Sequence, residues 1–255
     1  MATKRNSLLV LLYRIWISFT VYFRFKPFAF VVNFFSFIKD YNRLKRDTSN
    51  PNFQFYLTDF TPCLADKTSM TPLDPVYFYQ DSWGASKIFD LKPAKHFDVG
   101  SSAKTIGIIS QFVPTTMVDI RPIELPLPNL SFIQGSILDL PLENNSVESI
   151  SSLCVIEHIG LGRYGDPIDS YGSEKAIKEI VRVTRQGGSI LFSVPVDEFS
   201  RIYFNAHRAF TRAYILLLFK DCILKEEKYI YGKKMVENYL PEAGYGIGLY
   251  HFIKQ

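Results

Sequence analysis

The sequence predicts an α/β protein with a doubly wound, mostly parallel sheet that carries helices on both faces and follows a hydrophobic helical extension. Three observations predict this architecture. Short apolar runs alternate with amphipathic runs from about residue 95 onward, as strands and helices do in parallel sheets. A glycine turn, FDVGSS, follows the first of these apolar runs. The first 46 residues are apolar and basic and lack this alternation.

Length and cysteine usage limit the possible classes of protein. The chain has 255 residues, 47% of them hydrophobic, which is enough for one α/β domain and an extension. Cys63, Cys154 and Cys222 are far apart, with neither a CxxC pair nor zinc-ligand spacing. This pattern indicates a reducing, cytoplasmic compartment. The four histidines form no HxH or HExxH pair, so no metal site is predicted.

The positive charge is concentrated in an N-terminal arm, residues 1–46. This arm carries nine basic side chains and one acid, Asp40, whereas the whole chain has a net charge of only +4. The remainder of the chain is therefore net negative. Basic charge on an arm, and not on a domain face, argues against a nucleic-acid partner and for an anionic membrane surface.

The arm contains two apolar runs, residues 7–23 and 28–38, on either side of Pro27. The first is near the lower limit of roughly 17 residues for a membrane span, and the second is shorter. Basic residues flank both sides, without the imbalance that a single span shows. We expect two helical pieces bent at Pro27 in one leaflet, peripheral or monotopic at the inner face of a membrane. A helical extension packed on the domain or on a second subunit, and a true span, are the alternatives.

A linker at residues 47–75, rich in Thr, Pro, Asp and Asn, separates the arm from a domain at 76–255. The elements predicted beyond the arm are, in order, a helix at 75–91, a strand at 96–99, a helix at 104–112, strands at 116–120, 130–134 and 146–156, a helix at 173–184, a strand at 189–194, a helix at 212–219, and strands at 225–231 and 247–253.

Each prediction depends on a local pattern. In the first helix Phe78, Trp83 and Ile88 form an apolar stripe. The strand at 146–156 carries the apolar residues Val147, Ile150, Leu153, Val155 and Ile156. The helix at 173–184 has an amphipathic repeat, and Gly187-Gly188 is expected to stop it. The sequence has no visible internal repeat.

The opening turn, FDVGSSAKTIG at residues 97–107, can be compared with three nucleotide-binding turns. A phosphate loop requires glycines where Asp98 and Ala103 stand. The dinucleotide fingerprint requires three glycines, and Ser102 and Thr105 replace two of them. A turn of the form acid-x-Gly-x-Gly fits at Asp98 and Gly100, with Ser102 in place of the second glycine. An ordinary strand–helix turn is the alternative.

An acid ends the next predicted strand. Asp119 follows Asp98 by about 21 residues, and an acid at that place accepts hydrogen bonds from ribose hydroxyls in Rossmann-like sites. The alternative role is a helix cap or a surface pair with Arg121.

Two later stretches carry a family resemblance. They are FIQGSILDLPLENNSVESISSLCVIEHIG, residues 132–160, and KAIKEIVRVTRQGGSILFSVPV, residues 175–196. In the order and spacing of these motifs the chain resembles class I S-adenosylmethionine-dependent methyltransferases over about residues 95–196. The resemblance implies a Rossmann-like fold and S-adenosylmethionine as cofactor. The residues that it implies at the cofactor are Asp98, Gly100, Ser102, Asp119, Ser136, Ile137 and Glu157.

One departure from the family pattern falls at Ser136, where an acid usually binds the adenine amino group. The serine hydroxyl still accepts a hydrogen bond, and the backbone near Ile137 can assist it.

Four further segments resemble an uncharacterised, methyltransferase-like domain family. They are FYQDSWGASKI (78–88), VDIRP (118–122), EHIGLGRYGDPID (157–169) and FNAHR (204–208). Candidate catalytic residues should lie on the loops after the fourth and fifth predicted strands, where His158 and His207 are candidate bases. The candidate substrate-binding residues are Arg163, Tyr164, Asp166 and Arg208, the last as a carboxylate or phosphate clamp.

Structural roles are the alternatives for these residues. His158 can instead form the cofactor pocket, and Arg163, Asp166 and Asp169 can form a salt-bridge network within their own loop. Tyr79, Gln80 and Trp83 are expected either as a lid over the ligand or as core residues.

The expected function is methyl transfer from S-adenosylmethionine to a small-molecule, sugar or lipid-linked glycan acceptor, at a hydroxyl. The membrane arm motivates the lipid-linked acceptor. The alternative is a catalytically silent Rossmann-like binding or scaffold protein at the membrane, because Ser102 and Ser136 depart from the family pattern. A nicotinamide-dependent sugar enzyme is disfavoured by the glycine count. The sequence does not determine the oligomeric state.

Overall fold

A computed structural model of the protein describes residues 16, 27–47, 50–53, 56 and 61–255. The chain divides into two compact units, Met1–Pro72 and Leu73–Gln255. The first unit contains helix α1, Pro27–Arg46. The apolar run at 7–23, apart from Trp16, lies outside the described residues, so the bend at Pro27 stays a prediction. Within the described residues, no helix combines the length and apolar character that crossing a bilayer requires.

Helix α1 covers the second predicted run and continues beyond it. Apolar side chains at Phe28, Val31, Val32 and Phe35 recur at helical spacing and are exposed. The basic residues of its last turn, Arg43, Lys45 and Arg46, lie at the negative end of the helix dipole, where cations are favoured. The helix therefore combines an exposed apolar stripe with a basic C-terminal end.

The second unit contains the sheet. Its elements are α2 Pro75–Leu91, β1 His96–Val99, α3 Ala103–Ile109, β2 Thr115–Asp119, β3 Leu130–Gln134, β4 Val147–Leu153, a 3₁₀ turn Ile156–His158, α4 Gly172–Val183, β5 Thr184–Val196, β6 Arg201–Tyr203, β7 His207–Ala209, α5 Arg212–Leu218, β8 Cys222–Tyr231, β9 Lys234–Val236, a 3₁₀ turn Pro241–Ala243 and β10 Gly246–Lys254. Strands β6 and β7 form a separate hairpin.

Eight strands form one sheet in the order β3-β2-β1-β4-β5-β10-β8-β9. The five strands from β3 to β5 are parallel to one another, and β10, β8 and β9 extend the sheet in antiparallel pairs. The chain fills the sheet outward from β1 to β3 and then crosses to β4. The order therefore reverses between β1 and β4, and ligands bind at such a switch point in open α/β sheets.

Two apolar clusters cover the two faces of the sheet. Side chains of α4 and α5 pack in one cluster, and side chains of α2 and α3 pack in the other. Strand β5 supplies Phe192 and Val194 to the first cluster and Leu191 to the second, because successive side chains of a strand point to opposite faces. The predicted fold class is confirmed.

The element boundaries differ from the predictions where the backbone turns. Strand β4 ends at Leu153, since Cys154 adopts a left-handed conformation with φ 52°, which an extended strand does not permit. Helix α4 ends at Val183, before the glycines that were expected to stop it. Gly187 and Gly188 lie within β5 instead, where the pairing with β4 shifts register, as glycine permits at a bulge.

Candidate functional site

The opening turn is shaped by Asp98 and Gly100. Gly100 has φ 73°, and a Cβ added there would lie 2.9 Å from Val155 Cγ1, on the loop after β4. Asp98 accepts hydrogen bonds from Ser101 N at 3.0 Å and from Ser101 Oγ at 2.6 Å. Burial raises the pKa of the Asp98 carboxyl to about 6. The turn thus brings the backbone of β1 close to the loop after β4, in a conformation that favours glycine.

Two neighbouring cavities open at the carboxyl ends of the strands, with volumes of about 400 Å³ and about 1030 Å³. We call them the first and the second cavity. The residues that line both are Gly100, Asp119, Arg121, Cys154, His158 and Tyr164.

Asp98 lines neither cavity, which corrects the expectation that it contacts the cofactor. Its carboxylate is completely buried and stabilises the turn through the hydrogen bonds from Ser101. Ser102 and Glu157, also expected at the cofactor, line only the second cavity. Ser102 precedes α3 without a side-chain capping bond.

Asp119 ends β2 beside the first cavity and has two contacts with Arg121. Its Oδ1 accepts a hydrogen bond from Arg121 N at 2.8 Å and lies 3.6 Å from Arg121 Nε. The Arg121 guanidinium lies 4.9 Å from the centre of the Tyr164 ring. The surface pair named as an alternative is therefore present, and the same carboxylate also faces the cavity.

The loop after β3 forms another wall of the first cavity. Ser136 Oγ accepts a hydrogen bond from Leu138 N at 3.1 Å, and Ile137 is buried beside it. A Cβ added at Gly135 would lie 2.7 Å from Pro141 Cδ, so this loop is tightly folded. Ser136, Ile137 and Leu138 all line the first cavity.

Glu157 presents a buried carboxyl to the second cavity. The residue is only 2% exposed, and its Oε2 has no hydrogen-bond partner among the described residues. Burial raises the pKa of this carboxyl to about 8, so it carries a proton at neutral pH. Its Oε2 is thus a hydrogen-bonding atom without a partner among the described residues, at the edge of a cavity.

His158 lies where the two cavities meet. Its Nδ1 is 2.6 Å from Ala206 O and 3.3 Å from Arg163 Nη1. The shorter contact is to a carbonyl, which only accepts, and it assigns the proton of the neutral ring to Nδ1. Nε2 therefore has a free lone pair, and it lies 3.7 Å from Glu157 Oε1. Burial lowers the pKa of His158 to about 4, so the ring is neutral near pH 7.

His207 lines only the second cavity. Its Nε2 is buried without a hydrogen-bond partner among the described residues. The ring lies 4.9 Å from the ring of Tyr203 and 5.4 Å from that of Tyr245, between centroids. Burial lowers the pKa of His207, which favours its neutral form.

Side chains of the loop after the 3₁₀ turn form hydrogen bonds with backbone groups. Asp166 Oδ2 accepts from Gly160 N at 2.6 Å, and its Oδ1 accepts from Tyr164 N at 3.2 Å. Arg163 Nη1 donates to Ala206 O at 2.8 Å. Asp166 thus lines the first cavity, and both of its carboxylate oxygens accept backbone hydrogen bonds. It does not line the second cavity, as a residue that binds the acceptor would. These hydrogen bonds to backbone groups also differ from the expected salt-bridge network among Arg163, Asp166 and Asp169.

Arg208 was expected as a substrate clamp, and its surroundings correct that expectation. The residue is 7% exposed and lines neither cavity. Its guanidinium donates to Ile159 O, to Asp169 O at 2.9 Å and to Ser173 Oγ at 3.2 Å. Arg208 therefore joins the hairpin to the loop and to the start of α4.

The expected lid residues on α2 are core residues. Gln80 accepts a hydrogen bond from Ser193 Oγ at 2.8 Å, Trp83 donates to Glu226 Oε1 at 3.1 Å, and both are buried. Tyr77 and Asp81, which line the second cavity from the same helix, were missed. Their i, i+4 spacing places them on one helix face, and this was the available signal.

Tyr245 also lines the second cavity and had no sequence signal. It lies between the 3₁₀ turn Pro241–Ala243 and β10. Cys154 lines both cavities, at the end of β4 and not inside it. Within residues 27–47, 61–255 and the shorter described segments, no group of three or more His, Cys, Asp or Glu side chains is arranged to hold a metal ion.

Comparison with known proteins supports the fold. A family model described as "Caenorhabditis protein of unknown function, DUF268" matches residues 142–224. The search of curated proteins gave no match. These comparisons add no activity to the geometry described above.

Several solved structures resemble the chain. The Burkholderia thailandensis 1,6-didemethyltoxoflavin-N1-methyltransferase, solved with S-adenosylhomocysteine, matches with 16% identity and TM-score 0.51, over 71% of this chain and 84% of that one. Geranyl diphosphate methyltransferase in complex with S-adenosylmethionine matches with 11% identity and TM-score 0.51, over 68% and 85%. The YcgJ protein of Bacillus subtilis matches with 15% identity and TM-score 0.51, over 70% and 99%. The chain has the fold of class I S-adenosylmethionine-dependent methyltransferases.

Proposed function

We propose that the protein transfers a methyl group from S-adenosylmethionine to a hydroxyl of a small-molecule acceptor. One observation carries the proposal. Gly100 follows β1, and Asp119 ends the adjacent parallel strand β2. Both line the first cavity, of about 400 Å³, at the switch point of the sheet. This is the place where open α/β sheets bind nucleotide-like ligands.

The residues of the first cavity fit the cofactor. Gly100 lines this cavity and has the positive φ that glycine favours. In our proposal the Asp119 carboxylate accepts hydrogen bonds from the ribose hydroxyls, and Ser136 with the backbone of Ile137 binds the adenine edge. When bound, S-adenosylmethionine supplies a methyl group on a positively charged sulfur, which needs no further activation.

The second cavity is proposed to hold the acceptor. His158 lines both cavities, so its Nε2 lone pair is available at their junction to accept the proton of the acceptor hydroxyl. The acceptor hydroxyl would lose its proton to His158 Nε2, and S-adenosylmethionine held in the first cavity would supply the methyl group that takes its place on the oxygen, leaving S-adenosylhomocysteine. His207, Arg163 and Tyr164, which also line this cavity, are proposed to orient the acceptor.

Calorimetric titration with S-adenosylmethionine and with S-adenosylhomocysteine tests the cofactor assignment. We expect micromolar binding to the wild-type chain and its loss in Asp119→Ala, because the ribose would lose its acceptor. Glu124→Ala is the matched control, since Glu124 is exposed and lines neither cavity. A folded wild-type protein that binds neither molecule would instead support the catalytically silent scaffold.

We also propose that the arm lies on an anionic membrane surface, which would concentrate a sugar or lipid-linked glycan acceptor near the site. The exposed apolar stripe of α1 and its basic last turn support this proposal. Co-sedimentation with vesicles of phosphatidylserine and phosphatidylcholine should weaken in the double variant Phe28→Ser, Phe35→Ser. It should be unchanged in Phe53→Ser, an exposed residue outside the helix. Equal sedimentation of all three proteins contradicts the proposal.

A further inference from the structure

The β6–β7 hairpin combines a buried side that belongs to the site with an exposed apolar side. His207 lines the second cavity, and Arg208 and Ala209 are buried. By contrast, Phe204 at the hairpin turn is 80% exposed, and Phe199 and Ile202 are about equally exposed at 60% and 57%. We call Phe199, Ile202 and Phe204 the hairpin tip.

The exposure of the hairpin tip is not the result of a loosely attached segment. Arg208 fixes β7 to the loop and to α4. Tyr203 Oη donates to Asp197 Oδ2 at 2.8 Å, and Ala206 O accepts from Arg163 Nη1 and from the His158 ring. The protein therefore holds three large apolar side chains in water within residues 199–204, and such exposure in one short segment is typical of an interaction surface.

The surroundings of the hairpin tip favour a lipid interface as its occupant. Phe204 lies at the turn of a hairpin, which is a protrusion and not a groove that would receive a helix or strand. The Arg201 guanidinium lies 5.9 Å from the centre of the Phe199 ring, and its Nε lies 3.3 Å from Asp197 Oδ2, so a cation that is paired with a carboxylate accompanies the apolar residues. Aromatic and aliphatic side chains with a neighbouring cation are the composition that inserts at the headgroup boundary of a bilayer.

The hairpin also joins this surface to the second cavity. Tyr203 contacts the rings of His207 and Tyr245, and both of these line the cavity. A polar cavity beside an apolar tip suits a molecule with a polar head and a hydrocarbon tail. The head would enter the cavity while the tail stays in the lipid.

We propose that the hairpin tip inserts into the lipid bilayer interface and that the methyl acceptor is the polar head of a membrane-embedded amphiphile. The second half rests on the proposed function, and the first half does not. The two halves are therefore tested separately.

The first experiment measures whether the hairpin tip is in water or in lipid. Phe204→Trp is made in the full chain together with Trp16→Phe, and vesicles of phosphatidylserine with dibrominated phosphatidylcholine are added. We expect a blue shift of the added tryptophan emission and its quenching by the brominated lipid. The control is Phe89→Trp in the same background, because Phe89 is 59% exposed and its ring lies 5.9 Å from that of Phe112, just before the amino end of β2, whereas the hairpin follows the carboxyl end of β5.

The two variants separate contact by the tip from contact by the arm. Quenching in Phe204→Trp but not in Phe89→Trp supports insertion of the tip. Equal quenching of both variants, or of neither, overturns it. Trp83 is buried and present in both proteins, so its contribution is subtracted with the Trp16→Phe parent.

The second experiment follows the acceptor. The full chain is incubated with S-adenosylmethionine labelled in its methyl group and with vesicles of the total lipid extract of the source organism. We expect label in the chloroform-soluble fraction and a several-fold loss of it in Phe204→Ser. S-adenosylhomocysteine binding should be unchanged in that variant, since Phe204 lines neither cavity.

The outcomes distinguish this inference from the proposed function. Cofactor binding without label in the chloroform fraction overturns the amphiphilic acceptor and leaves methyl transfer standing. Absence of cofactor binding overturns methyl transfer, and the tryptophan experiment still decides whether the tip enters lipid.

Discussion

At the scale of single residues, the site depends on a few positions whose conformation or burial is unusual. Gly100 is the clearest of them, because two separate effects act on it. Its φ of 73° is unfavourable for any residue with a side chain, and an added Cβ would approach Val155 Cγ1 to 2.9 Å. Gly187 shares the first effect, with φ 71°, and has open space around it.

Gly100→Ala and Gly187→Ala therefore separate backbone strain from steric overlap. We expect Gly187→Ala to lower the free energy of unfolding by roughly 1–2 kcal/mol, from strain alone. Gly100→Ala should cost about 1–3 kcal/mol more, because Val155 must move, and should abolish S-adenosylhomocysteine binding. Urea unfolding and calorimetric titration measure the two quantities. Equal costs for both variants would show that the close approach to Val155 is unimportant.

Glu157 connects burial to pH dependence. Its carboxyl is 2% exposed, and burial raises its pKa from the ordinary 4.5 to about 8. The folded state therefore binds this proton more tightly than the unfolded state. The associated stability is fully present below the unfolded pKa and is lost as pH rises from about 4.5 to 8.

Glu157→Gln should remove this dependence. Relative to wild type, the unfolding free energy of the variant should increase by about 1.4 kcal/mol for each pH unit between pH 5 and 8. Urea unfolding at several pH values measures it. Glu242→Gln is the control, because Glu242 is exposed, and the difference should stay flat there. A flat difference for Glu157→Gln as well would mean that the carboxyl is already ionised in the folded protein.

At the scale of elements, the β6–β7 hairpin, the loop after the 3₁₀ turn and the start of α4 form one assembly around Arg208. Its guanidinium reaches Ile159 O and Asp169 O of the loop and Ser173 Oγ of α4. The hairpin in turn carries His207 and the carbonyl of Ala206, which fixes the tautomer of His158. Arg208 is thus a positioning residue for both candidate bases.

Arg208→Met keeps the length of the side chain and removes its donors, so two part-buried carbonyl acceptors and the buried Ser173 hydroxyl lose a partner. We expect a loss of about 3 kcal/mol in the free energy of unfolding and faster proteolysis of the loop at 159–169. Arg185→Met is the control, since the Arg185–Glu148 pair is exposed and such pairs contribute less than about 1 kcal/mol. Unfolding in urea and limited trypsin digestion measure the two effects. A small loss for Arg208→Met would indicate that the loop is held by other contacts.

At the scale of the whole molecule, the sheet order brings the site together. Strands β2, β1 and β4 are adjacent and parallel, so the turn at Gly100, the carboxylate of Asp119 and the loop after Leu153 emerge at one edge. No single strand makes a cavity. The reversal of strand order between β1 and β4 leaves space there, because the connections leave in opposite directions.

Several parts of this arrangement were predictable from the sequence. The alternation of apolar and amphipathic runs predicts the element types, and the turn at Gly100 with the acid at Asp119 predicts two neighbours at one sheet edge. The length of β4 was predicted too great, because the apolar run continues past Leu153 while the backbone turns at Cys154. Local hydrophobicity does not distinguish a strand from a buried turn.

By itself the sequence determined the order of the elements other than β6, β7 and β9, the mostly parallel sheet, and the proximity of Gly100 to Asp119, because periodicity and turn chemistry act between residues close in the chain. Only the tertiary structure decided the roles of Glu157, His158 and Arg208. Burial, tautomer and hydrogen-bond partners depend on residues distant in sequence, such as Ala206 for His158. The chain supplies these groups, and packing determines whether each holds a proton, accepts one or secures a loop.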